Sequence, residues 1–221
     1  LATTETWHQF LAAMLLHARE LVSAYNSSLQ TFRLRNGLKT DNRPMPDLEM
    51  TGSAVELPLW CWTSQSHKRA AVYLNQTEAG TFELTDRSRW SFSLNIGSLN
   101  IGSGETRDWP QVQELARQLR TQLNQHSVKV RTSALMTTLY LRLFLADWFI
   151  HGIGGAKYDE VTDDLMTGYF QLEPPAFQVA SGSLWLPVAH PPSMPAQSSH
   201  ELETQLRIAK ENPETLFETS E

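Results

Sequence analysis

The sequence predicts an α/β fold, and three observations carry it. Apolar residues recur at helical spacing over the first 35 residues. Short β-rich runs then fill residues 54–101, and from about residue 109 helix-like and strand-like segments alternate.

From Thr4 to Arg35, Trp7, Leu11, Met14, Ala18, Leu21, Tyr25, Leu29 and Phe32 recur at alternating four- and three-residue steps, which predicts one long helix with a buried stripe. Gly37 is a natural helix stop, and the prolines of Asp41-Asn42-Arg43-Pro44-Met45-Pro46-Asp47 prevent the helix from resuming. Strands are expected at Val55–Trp62, Ala70–Leu74 and Thr81–Leu84, the last two joined by a hairpin turn over Asn75–Gly80. Ser93-Leu94-Asn95-Ile96-Gly97 is repeated at once as Ser98-Leu99-Asn100-Ile101-Gly102. Two copies are too few for a solenoid, so this reads as a strand and a glycine-rich turn.

The second half opens with a helix over Trp109–Gln125, with Val112, Leu115, Ala116, Leu119 and Leu123 on one face. A short strand at Val128–Val130 follows, and Ser133 caps an apolar helix that should run to Ile150. A further helix is expected from near Ala156 through Tyr158, Val161, Leu165, Met166 and Tyr169. Strands are expected at Phe177–Ala180 and Leu184–Leu186, then a charged helix over Ser199–Glu211 and a polar tail. The alternation calls for a largely buried sheet.

Composition narrows the function classes. The 221 residues are 41% apolar and 19% charged, enough for one continuous core, divided for description into 1–106, 107–198 and 199–221. Lys and Arg total 18 against 24 Asp and Glu, a formal charge of −6, which argues against nucleic acid as a partner. Cys61 is the single cysteine, so no intramolecular disulfide or cysteine-rich zinc site is available, and a reducing, cytoplasmic setting is expected. The run Leu135–Ile150 carries Arg142 and Asp147 and is shorter than the about 20 apolar residues of a membrane span. The chain starts at Leu1 and reads as most of a longer protein, with a missing domain or a second copy as partner.

The sharpest chemical signal is His151-Gly152-Ile153-Gly154-Gly155-Ala156-Lys157-Tyr158-Asp159-Glu160. Gly152, Gly154 and Gly155 allow a ligand to approach the backbone and expose amides where the helix dipole favours an anion. Lys157 adds positive charge, while His151 can serve as an acid or base, oriented by Asp147 at the i,i+4 spacing. Arg131, at a strand end, can hold a carboxylate or phosphate in bidentate fashion. The competing reading makes the glycines a tight helix-packing corner, and gives Asp147 the purely structural partner Arg142 or Arg131.

Weaker candidates are Asn26, Arg33, Arg43 and Asp47 around the first helix end. Glu56, Trp60 and Trp62 either wall a pocket or, with the tryptophans inward and Cys61 on the other face, pack the core. The seven histidines show no zinc-protease spacing, no metal site is proposed, and no cofactor is indicated.

Arg131–Leu135, Ala146–Asp159, Leu172–Phe177, Tyr25-Asn26, Arg43–Leu48 and Glu56–Trp60 together resemble a family of uncharacterised bacterial proteins. A more distant similarity, over about a quarter of the chain, is to the bacillithiol cysteine-adding enzymes. Arg131, Gly154-Gly155, Tyr158 and Pro174-Pro175 stand in the order of features in their Rossmann-like core, although His151 and Lys157 depart from their loop pattern. That similarity implies a Rossmann-like sheet. The reading that follows is an enzyme binding a small anionic molecule, a nucleotide or sugar phosphate, at His151–Lys157. The alternative is a non-catalytic module of a larger protein.

Overall fold

The computed structural model describes residues 4–38, 45–66, 68–78, 80–95, 109–184 and 199–211. It falls into two compact units, 1–181 and 182–221.

The N-terminal segment is two helices rather than one: α1 (Glu5–Leu16), whose first turn is capped by Thr4 Oγ1 accepting from the Trp7 amide, and α2 (Ala18–Arg35). They break at His17 (φ −125°, ψ 37°). The reason is the different company each half keeps. α1 packs on α3 (Trp109–Gln125) and buries Phe10, Ala12, Leu15 and Leu16 besides the predicted stripe. α2 buries its part of the stripe together with Val22, Ser28 and Arg33, against strand and helix partners further along the chain. Gly37, at φ +62°, closes α2: its amide donates to Leu34 O, and the Leu38 amide reaches back to Arg33 O at 2.9 Å.

The loop after α2 is fastened to it by named side chains. Asn26 exchanges two 2.9 Å hydrogen bonds with the Leu48 backbone, and buried Arg33 donates to Asp47 at 2.6 Å and to the Met45 carbonyl. Three of the four residues clustered there by sequence are therefore structural fasteners, and Arg43 lies outside the described residues.

The main sheet is β1 (Met50–Thr51), β2 (Ala54–Thr63), β3 (Ala70–Glu78), β4 (Thr81–Thr85) and β5 (Ser91–Asn95) in sequence order, with β6 (Val128–Thr132) added to the edge of β2 opposite β3. Every pair in it is antiparallel. The parallel sheet expected of a Rossmann-like core is not what β6 joins: Trp60 pairs with Arg131 and Cys61 with Val130 in opposed directions. Helix-strand alternation says that a strand lies between helices, but not which strand it finds; here β6 pairs back onto the hairpin region, tying both halves of the chain into one sheet. β2 bulges at Pro58–Leu59, where the proline has no amide to donate and its carbonyl instead accepts from the Ser133 amide at 2.8 Å.

The β3–β4 hairpin forms where expected but with a tighter turn, Glu78 pairing with Thr81 and Gly80 at φ +77°. In β2 the tryptophans do not pack the core. Cys61 is fully buried, its thiol close to the Ala70 and Ala71 carbonyls, while Trp60 on the other face is 42% exposed.

α4 (Ala134–Phe144) ends six residues before Ile150, since the Leu145 and Ala146 amides both close on Leu141 O. The chain then turns into β7 (Ile150–His151), which pairs in parallel with β8 (Gln178–Val179). Between them α5 (Ile153–Gly168) packs on α2 and α4. In the second unit, α6 (Ser199–Glu211) has the bounds its charge pattern predicts. The second copy of the pentapeptide and Trp185-Leu186 lie outside the described residues, and Leu184 is not in a strand. Among the described residues, no helix is long and apolar enough to cross a membrane.

Candidate functional site

The His151 corner is built by three short segments. β7 sets His151, Gly152 takes the extended cap conformation (φ −71°, ψ 162°), and α5 starts at once, three residues earlier than expected, with the Ala156 amide donating to Gly152 O. Gly154 and Gly155 thus lie inside the first helical turn.

The carboxylate paired with His151 is Asp159, not Asp147. His151 Nε2 lies 3.0 Å from Asp159 Oδ2, and the same oxygen accepts from Arg142 Nη1 at 2.5 Å. Asp159 Oδ1 accepts from Thr138 Oγ1 at 2.9 Å. Arg142 goes on to donate to Asp163 (2.7 Å) and to the Pro175 carbonyl. Both Arg142 and Asp159 side chains are only 1% exposed, so each charge is compensated by the other rather than by water. Asp163 sits at the edge of the cluster; burial pushes its carboxyl above the usual range, and Arg142 opposes this only in part.

Aromatic rings close the cluster. His151 meets Phe149 and Phe177 edge-on, with ring centres 4.7 and 4.9 Å away, and the Arg142 guanidinium lies 4.8 Å from the centre of Phe177. The other imidazole nitrogen, Nδ1, presses on the helix start: a Cβ on Gly155 would stand 2.9 Å from it. Gly155 is therefore required by the close approach of His151. A Cβ at Gly152 or Gly154 would meet nothing within 4 Å.

The remaining predicted site residues lie apart from this cluster. Asp147 is exposed in the turn after α4, because the helix that would have set it one turn before His151 has already ended. Arg131 is exposed on β6, donating to the Val130 carbonyl with its guanidinium 5.5 Å from the centre of the Trp62 ring. Lys157 and Tyr158 are on the outer side of α5, Tyr158 edge-on to Phe32.

Sequence reading missed Thr138 and Asp159 and named Arg142 only as a partner for Asp147. The available signal was helical spacing: Asp159, Thr162 and Met166 share the buried face of α5, so a carboxylate there requires a cation across the interface.

The run from the end of α4 into α5 carries exposed apolar side chains. Phe144, Leu145, Trp148, Ile150 and Ile153 are each more than half exposed, Trp148 at 69% and Ile153 at 64%. Among the described residues no group of three or more His, Cys, Asp or Glu side chains could hold a metal.

No protein-family model matches the chain, and no curated protein or solved structure matches it.

Proposed function

We propose that the chain is a non-catalytic interaction module, in which the glycine-rich corner is a helix-packing joint and the apolar side chains around it meet a partner surface. One observation carries this reading: five large apolar side chains stand exposed within the ten residues 144–153, while the polar groups of the nearby Arg142–Asp159–His151 cluster bond one another. The imidazole Nε2 is held by Asp159, and Nδ1 lies so close to the start of α5 that a Cβ on Gly155 would stand 2.9 Å from it. Large apolar side chains exposed together in one short run are a mark of a contact site.

The second reading is an enzyme holding a nucleotide or sugar phosphate at the start of α5. It is favoured by the exposed backbone of Gly152–Gly155 and by Lys157 in the adjoining turn. Such a site would be a local feature of β7 and α5, with the Rossmann-like comparison limited to that unit.

Thermal melting with a panel of nucleotides and sugar phosphates separates the two. The module reading expects no stabilisation by any of them, with concentration-dependent self-association or partner binding that Trp148→Asp removes. Stabilisation that disappears in Lys157→Ala would overturn it in favour of the anion site.

A further inference from the structure

A second feature lies between α1, α3, α4 and the chain just after α5, sharing Phe144 with the exposed run at residues 144–153. It is a cavity of about 400 Å³, inside the about 300–1,000 Å³ range of small-molecule sites. Phe10, Tyr140, Phe144, Trp109, Tyr169 and Phe170 supply aromatic walls, and Ala13 forms a small-residue floor on α1. None of its lining residues carries a charge.

Tyr140 gives this cavity polarity. It is 2% exposed and wedged among Trp7, Phe10 and Phe144, with ring centres 4.9–5.3 Å away, yet among the described residues its hydroxyl has no hydrogen-bond partner. Burial pushes its pKa up, so it stays a neutral donor. Tyr140 lines the cavity and its hydroxyl is not sealed into the core, so a ligand acceptor can reach it and take its hydrogen bond. Trp109, Phe144 and Leu172 are meanwhile about half exposed, leaving apolar area uncovered.

We infer that this cavity binds a neutral, largely apolar ring-sized molecule bearing one hydrogen-bond acceptor, which the Tyr140 hydroxyl engages while the aromatic walls cover the ring. An anionic ligand is disfavoured because no cation lines the walls. The inference rests on the cavity walls, of which Phe144 alone is shared with the exposed run at residues 144–153.

The test is fluorescence titration of the chain with Prodan, a neutral naphthyl ketone, beside the anionic 1-anilinonaphthalene-8-sulfonate. Prodan should bind with a blue-shifted emission and the sulfonate more weakly. Ala13→Trp should fill the cavity and abolish Prodan binding. Tyr140→Phe, which keeps the ring, should weaken it about three- to tenfold, the loss of one hydrogen bond. Circular dichroism checks each fold; if Ala13→Trp does not fold, Tyr140→Phe decides. No Prodan binding, binding unchanged in Tyr140→Phe, or binding kept in Ala13→Trp but lost in Trp148→Asp would overturn the inference.

Discussion

Asp159 and Asp86 are both carboxylates sunk into this molecule, and they are held by different means. Asp86, between β4 and β5, takes its hydrogen bonds from the next few residues: the Ser88, Arg89 and Trp90 amides and the Arg89 guanidinium at 2.6 Å. Asp159 takes none from its own neighbourhood. Its donors are Thr138 and Arg142 on α4 and His151 on β7, 8 to 21 residues away. The first is a turn-forming device that needs only its own short segment. The second exists only after α4, α5 and β7 have met, so it reports on packing and contributes specificity to it.

The largest expected effect separates the two directly. Arg142→Met leaves Asp159 buried without its cation and should cost about 3–5 kcal/mol in urea denaturation, whereas Arg142→Met combined with Asp159→Leu should recover much of that loss. A double variant no more stable than the single one would show that shape, rather than charge compensation, holds α4 to α5.

A smaller effect distinguishes the glycines of the corner. Gly155→Ala drives a methyl against the His151 ring and should cost roughly 1–3 kcal/mol, while Gly154→Ala, with open space around it, should be neutral or stabilise by up to about 1 kcal/mol. Equal responses in thermal melting would remove the packing explanation for Gly155.

The smallest effect belongs to Asp86. Burial pushes its carboxyl up, but the amide and guanidinium donors, Arg89 foremost, outweigh that and hold it below the usual range. A lowered folded value means stability that is full above the ordinary carboxylate pKa of about 4 and is lost as pH falls through the folded value. Asp86→Asn should therefore cost about 1 kcal/mol at neutral pH, the difference between a charged and a neutral acceptor, with the gap to the parent closing in acid. A gap independent of pH would mean that the charge has no part in the turn.

Legibility from sequence follows the same division. The limits of α3 and α6, the stop at Gly37 and the β3–β4 hairpin depend on spacing and turn residues within a few positions, and they were readable. Of the candidate site, His151 and Gly155 were found but matched with Asp147, because a helix assumed to run to Ile150 made the i,i+4 partner seem the natural one.

By itself, then, the sequence determined which faces are apolar and where glycine and proline interrupt, whereas the partner it required for Asp147 is not needed, because Asp147 is exposed. Only the tertiary structure decided that β6 runs antiparallel to β2, that the first helix breaks at His17, and that Arg142 meets Asp159. Periodicity records which side of an element is buried. The identity of the covering element is set by packing among residues distant in the chain, and that packing turned the glycine-rich stretch into a seat for a histidine ring.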